Sequence, residues 1–174
     1  MVTRMRTWTG DSGKTRLFCE EATKDSPRVD VCGDIDELNS FIGLARSTIS
    51  DKYVNSVLKD IQKDLFVIGA DLSKSPKNEK TQLTKKRVEE LEDAVNSIEK
   101  NLPELKKFIL PAGSASILHV CRAVCRRAER KTVALKKSEI VSEETIKYLN
   151  RLSTLLFDLA RLANKNAGAK EEEW

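Results

Sequence analysis

Residues 51–72, Asp51-Lys-Tyr-Val-Asn-Ser-Val-Leu-Lys-Asp-Ile-Gln-Lys-Asp-Leu-Phe-Val-Ile-Gly-Ala-Asp-Leu72, decide the fold. Val54, Val57, Leu58, Ile61, Leu65, Ile68 and Leu72 recur at steps of three and four, which places them on one helical face. Asp51 stands where its carboxylate can accept from the first free N–H groups of that helix. The same period extends outward in both directions. Leu38, Phe41, Ile42 and Ala45 predict a helix capped by Asp34 or Asp36 and running to about Ile49. Val88, Leu91, Val95, Ile98 and Leu102 predict another, opened by Thr84 and ended by Pro103. Ser114 or Ser116 opens a fourth helix to about Leu135, and Ser142 a fifth to about Lys165. Five helices joined mostly by short loops predict an all-α, antiparallel helix bundle.

Composition agrees. Seven Gly and four Pro in 174 residues are too few for a turn-rich sheet protein and favour long helices. The length suits a single domain spanning 1–174. Within it, 1–33 reads as a non-helical N-terminal segment, 34–167 as the bundle and 168–174 as a tail.

Several function classes fall away. The longest apolar run, Leu65 to Ala70, is far below the ~18 residues of a membrane span. The first residues have no apolar stretch of a secretory signal. Cys19, Cys32, Cys121 and Cys125 show no disulfide framework, so reduced thiols in the cytoplasm are expected. A single histidine, His119, supplies neither a zinc set nor the paired Glu-x-x-His motifs of a di-iron bundle. With 31 basic and 27 acidic residues the net charge is +4, too balanced to call for nucleic acid. Any basic site must be local.

Four segments carry candidate chemistry. Gly10-Asp11-Ser12-Gly13-Lys14-Thr15 ends like a P-loop, but Trp8 stands where a Walker A needs glycine. Its glycines and hydroxyls could still turn backbone N–H groups toward an anion; the alternative is an ordinary turn. Arg122, Arg126 and Arg130 share one helix face at steps of four, where like charges repel. Carboxylates or a polyphosphate must answer them, and guanidinium forks match phosphate oxygens. Asn150 and Thr154 are polar on a leucine-dense helix; Asn150 orients a ligand or holds a helix–helix contact. Asp34, Asp36 and Glu37 either complement a helix dipole or reach an arginine of the fourth helix.

In chain order these segments read Thr7-x-Thr9-Gly10-Asp11-x-Gly13-x-Thr15, Lys24-Asp-Ser-Pro-Arg-Val29 and Gly33-x-x-Asp36-Glu-Leu-Asn39. Phe108-Ile-Leu-Pro111, Leu118-His119, Arg122-x-Val-Cys-Arg-Arg-Ala-Glu-Arg130 and Leu149-Asn-Arg-Leu-Ser153 follow. The set resembles the ATP:cob(I)alamin adenosyltransferases of the trimeric, propanediol-utilisation type over nearly the whole chain. The resemblance implies a five-helix bundle assembled as a homotrimer, with ATP between neighbouring subunits. It implies ATP contacts by Thr7, Thr9, Gly10, Asp11, Gly13, Thr15 and Lys24, and by Arg126, Glu129, Arg130 and Asn150. It pairs Arg122 with Asp36 across the interface, and gives Phe108 the task of holding the corrinoid without its lower axial ligand. Arg122, Arg126, Asp36 and Phe108 are thereby the implied catalytic set. Mg2+ is implied on the ATP phosphates rather than in a protein cage. A corrinoid reductase and an adenosylcobalamin-dependent enzyme are the partners such chemistry calls for, with no role for nucleic acid or membrane. The chain departs from the family pattern at Trp8, where Lys is usual, and at Thr154, where Asp is usual. The implied reaction is attack by Co(I) of cob(I)alamin on C5′ of ATP, expelling triphosphate. It needs no protein nucleophile, which suits a chain with one histidine. The competing reading is an ATP-binding regulator or helical interaction module without turnover.

Overall fold

The computed structural model describes residues 8–18, 20–73 and 82–174. A short 3-10 turn, Thr9–Ser12, leads into two antiparallel strands, β1 (Lys14–Arg16) and β2 (Glu21–Thr23), which the sequence did not signal. Five helices follow: α1 (Pro27–Thr48), α2 (Lys52–Leu72), α3 (Lys85–Glu99), α4 (Ser116–Leu135) and α5 (Glu143–Asn166). None of the described helices is long and apolar enough to cross a membrane.

Three helix starts lie where local chemistry puts them. Asp51, Thr84 and Ser142 each accept a hydrogen bond from the backbone N–H three residues on. Two starts differ. The cap of α1 is Ser26, not Asp34 or Asp36: its hydroxyl accepts from the Val29 N–H, and Pro27 opens the first turn. Proline suits that position because its fixed φ is helical and it has no N–H to leave unpaired. Residues 27–33, expected to be non-helical, are therefore the first turns of α1. Neither Ser114 nor Ser116 caps α4. Ala115 occupies the cap position, and the Asn164 side chain of α5 supplies the missing acceptor at 3.0 Å from the Ala115 N–H. α3 also stops earlier than expected, at Glu99.

Helix α1 packs on α2 and α4, while α5 packs on α4 and α3 and touches α2. The core is aliphatic: Leu38, Ile42, Leu58, Ile68, Leu118, Leu149, Leu152 and Leu155 are fully buried. Each such side chain contributes roughly 1.5–3 kcal/mol by leaving water. Polar groups inside are paired across helices. Asp64 of α2 accepts from the Tyr148 hydroxyl of α5 at 2.7 Å and from Arg87 Nε of α3 at 3.1 Å. Arg28, also buried, donates to the Leu72 carbonyl, to Glu139 at 2.6 Å and to the Ile140 carbonyl at 3.2 Å. It thereby joins the start of α1 to the end of α2 and to the α4–α5 connection. Cys32, Cys121 and Cys125 are free thiols, and burial pushes the Cys121 thiol up to about 12.

Candidate functional site

Arg122 and Arg126 of α4 meet α5 and the 105–111 connector in one cavity of about 380 Å3. Its walls include Phe108, His119, Arg122, Arg126, Thr154 and Phe157. Positions 119, 122 and 126 fall on one helical face, so α4 delivers all three side chains together. Arg122 stands 5.6 Å from the Phe157 ring centroid, within cation–π range. Arg126 and Arg130 are exposed and have no ion pair within the chain among the described residues. The stripe is thus left with its charge unanswered.

Phe108 is 77% exposed, an unusual position for an aromatic ring. Its backbone is nonetheless tied down. The Trp174 N–H donates to the Phe108 carbonyl at 2.9 Å, and the Leu110 N–H to the Glu172 carbonyl at 2.8 Å. Asn164 secures the far end of the connector by donating to the Ala112 carbonyl at 2.9 Å. Gly113 has φ +84°, and a Cβ there would stand 2.5 Å from Asn164 Oδ1. Only glycine satisfies both demands.

A second cluster lies in the N-terminal segment. Gly10 is pressed against Lys24, so that a Cβ on Gly10 would lie 2.9 Å from the ammonium nitrogen. The Lys24 N–H donates to the Gly13 carbonyl at 2.8 Å, and Gly13 itself has φ +76°. Sequence-distant Lys24 is so brought onto the Gly10–Gly13 turn, beside the exposed Asp11. Thr15 sits half-buried in β1 opposite Ala22. Lys14, the P-loop mimic, is engaged by Glu21 at 2.7 Å, whose hydrogen bond raises the ammonium pKa. Thr7 and the side chain of Thr9 lie outside the described residues. Nothing from segment 8–24 lines the arginine cavity; the Phe18 N–H instead bonds the Ser73 carbonyl at the end of α2.

Glu129 and Asn150 come together across the α4–α5 seam, with Asn150 Nδ2 donating to Glu129 Oε1 at 3.1 Å. The helix–helix alternative for Asn150 is therefore realised, and both side chains adjoin the stripe. The acids of α1 do reach an arginine of α4, but it is Arg127. Asp34 accepts from Arg127 Nε at 3.3 Å, Glu37 pairs with the same guanidinium, and Lys131 bonds Asp30 at 2.8 Å. Asp36 points elsewhere. It is exposed, has no partner among the described residues, and lines a groove with Phe18, Cys32, Asn39 and Phe66. Arg122 and Asp36 are not joined within one chain.

Motif reading gave no role to two residues of the site: Phe157, which no motif includes, and His119, which stands in Leu118-His119. The spacing of 119 with 122 and 126, and of 153 and 154 with 157, is the helical signal that could have found them.

The family model for cobalamin adenosyltransferase matches residues 5–163. This chain belongs to the cobalamin adenosyltransferase family. It is 44% identical to a corrinoid adenosyltransferase of Bacillus subtilis, with 98% of this chain and 92% of that protein covered. A cobalamin adenosyltransferase of Cupriavidus metallidurans is 42% identical, with 99% and 95% covered. Among solved structures, a variant PduO-type ATP:corrinoid adenosyltransferase from Lactobacillus reuteri, complexed with cobalamin and ATP, superimposes with a TM-score of 0.89. It shares 34% identity, and the match covers 97% of both chains. The adenosyltransferase fold and its bundle of five helices are thus shared along the whole chain.

Proposed function

We propose that this chain transfers the 5′-deoxyadenosyl group of ATP to the Co(I) centre of a reduced corrinoid such as cob(I)alamin. The observation that carries the reading is the single cavity joining exposed Phe108 to the unpaired Arg126 and to Arg122. Cob(I)alamin and ATP are both substrates. The cobalt electron pair forms a bond to C5′, the C5′–O bond breaks, and triphosphate leaves with its electrons. The protein's task is alignment and charge stabilisation rather than nucleophilic attack. Arg126 and Arg130 meet the growing charge on the polyphosphate with bidentate donors, and Glu129 and Asn150 orient them and the nucleotide. Phe108 excludes water on the cobalt side and fills the place of a lower axial ligand.

The N-terminal cradle of Gly10, Asp11, Gly13, Thr15 and Lys24, with Thr7 and Thr9, holds the triphosphate of a neighbouring subunit's site. Supporting this is that no residue of that cradle lines the arginine cavity on α4 and α5, while the neighbouring Phe18 is tied to the end of α2. A homotrimer brings the two together, and sets exposed Asp36 against Arg122 of the next copy. Mg2+ bound to the ATP phosphates supplies charge neutralisation; the exposed carboxylate of Asp11 fits it through water. The setting is cytoplasmic, where a reductase supplies Co(I) and an adenosylcobalamin-dependent enzyme takes the product.

The test is turnover. Purified protein with ATP, Mg2+ and chemically reduced cobalamin should give adenosylcobalamin and one triphosphate per cobalt alkylated. ATP-dependent stabilisation with no alkylated product would overturn the reading in favour of a regulator.

A further inference from the structure

We propose that His119 is a substrate contact: its imidazole hydrogen-bonds a peripheral carboxamide of the corrinoid inside the cavity beside Phe108. The inference rests on the proposed function, which makes that cavity the corrinoid side of the site.

His119 is the one histidine of the chain and is only 9% exposed. Neither ring nitrogen has a hydrogen-bond partner among the described residues. Neither nitrogen is among the sealed side-chain atoms left without a partner, so both stay accessible, and water or a ligand in the cavity can take their hydrogen bonds. The ring lines the same cavity as Phe108, Arg122 and Phe157. Its orientation is set before any ligand arrives. The imidazole meets the Phe157 ring edge-on at 5.8 Å and 65°, and Phe157 is itself flanked by the guanidiniums of Arg122 and Arg161. A ring fixed this way gives up little freedom on binding.

The charge state selects the partner. Burial, with Arg122 adding to it, lowers the basicity of His119, so the ring is neutral at pH 7. A neutral imidazole has one donor and one acceptor and no charge to offer a phosphate. The anion is served by the guanidiniums of Arg122 and Arg126 on the same face. A primary carboxamide presents the complementary pair, an N–H donor and a carbonyl acceptor, and carboxamides rim the corrin ring. The neighbouring Phe108, Pro111 and Phe157 give the bond an apolar surround.

Two variants and one substrate series test this. His119→Phe keeps an aromatic ring against Phe157 and loses the hydrogen bond; His119→Gln keeps a donor and an acceptor. His119→Phe should raise the KM for corrinoid about tenfold, the worth of one neutral hydrogen bond. The kcat at saturating corrinoid and the Kd for ATP should stay within about twofold, since neither reports on this contact. His119→Gln should recover most of the loss. An unchanged corrinoid KM in His119→Phe, an equal shift in both variants, or a matching loss of ATP affinity would each overturn the proposal. The unmodified protein supplies an independent arm that survives any folding defect in the variants. Corrinoids with one carboxamide hydrolysed to carboxylate should bind as well as the parent corrinoid, except for one isomer. Uniform binding across that series also refutes the contact. Absence of turnover by the unmodified protein would instead strike the proposed function itself, whereas turnover indifferent to His119→Phe strikes only this inference.

Discussion

Asn164 caps a helix to which it does not belong: from α5, its Oδ1 accepts from the Ala115 N–H at the start of α4 at 3.0 Å. Its amide nitrogen holds the Ala112 carbonyl at 2.9 Å, so one side chain fixes both the first turn of α4 and the end of the Phe108 connector. Asn164→Ala should cost about 1–2 kcal/mol, as loss of a helix cap does, read from urea unfolding. Gly113→Ala should cost more, because φ +84° and the 2.5 Å approach to Asn164 are both lost to a methyl group. Both variants should impair corrinoid use through displacement of Phe108, with ATP affinity retained.

Arg126 and Lys14 offer a contrast between two cations that both look suited to phosphate. Arg126 is exposed in the cavity with no ion pair among the described residues, whereas Lys14 is held by Glu21 at 2.7 Å. Arg126→Ala should lower kcat by about 100-fold, the scale for losing a preorganised charge contact in the transition state. Lys14→Ala should change turnover by no more than about twofold, in line with an exposed surface ion pair. Steady-state kinetics with saturating ATP decides, and a larger loss for Lys14→Ala would reassign the phosphate contact.

Among the described residues Asp36 has no partner, while Arg122 lies over the face of Phe157 and has no ion pair. If copies assemble as proposed, removing one member of the resulting buried pair should cost roughly 3 kcal/mol. Asp36→Asn should then weaken corrinoid turnover far more than ATP binding and shift the trimer–monomer balance in light scattering. A double-mutant cycle with Arg122→Lys isolates the coupling; strict additivity would show that the two residues do not interact.

Asp158 provides a pH test. Its carboxyl is buried on α5 with Oδ2 unpartnered; burial, then the nearby Glu99, push it up to about 6 against the pull of Arg161. The folded state therefore holds this proton more firmly than the unfolded chain. The stabilising contribution of the protonated form is complete below the ordinary carboxylate range and is lost as pH rises through about 6. Asp158→Asn removes the titration. Its stability relative to the parent should rise between pH 4 and pH 7, by at most about 3 kcal/mol, and level off above. Urea midpoints at several pH values check the sign.

What was legible in the sequence was what neighbours in the chain decide. The three-and-four spacing of Val54 to Leu72 is local, and so are the caps of Asp51, Thr84 and Ser142, because donor and acceptor sit three residues apart. The start of α1 differs from the expected caps at Asp34 or Asp36, yet it too is local, set by the Ser26 hydroxyl and by Pro27 in the first turn. The ordered motifs of the N-terminal turn, α4 and α5 carried the family by themselves. Tertiary structure decided which cation meets which anion. Arg122, Arg126, Arg127 and Arg130 are alike as residues, yet only Arg127 turns to Asp34 and Glu37, because packing of α1 on α4 fixes the rotation of both helices. That docking left Arg126 and Arg130 without an ion pair among the described residues, the pairing of β1 with β2 brought Lys24 onto Gly10, and the packing of α5 on α4 lent Asn164 to α4. Those contacts join residues far apart in the chain, and the energy of a hydrogen bond or ion pair depends on spatial separation, which only the packed bundle sets.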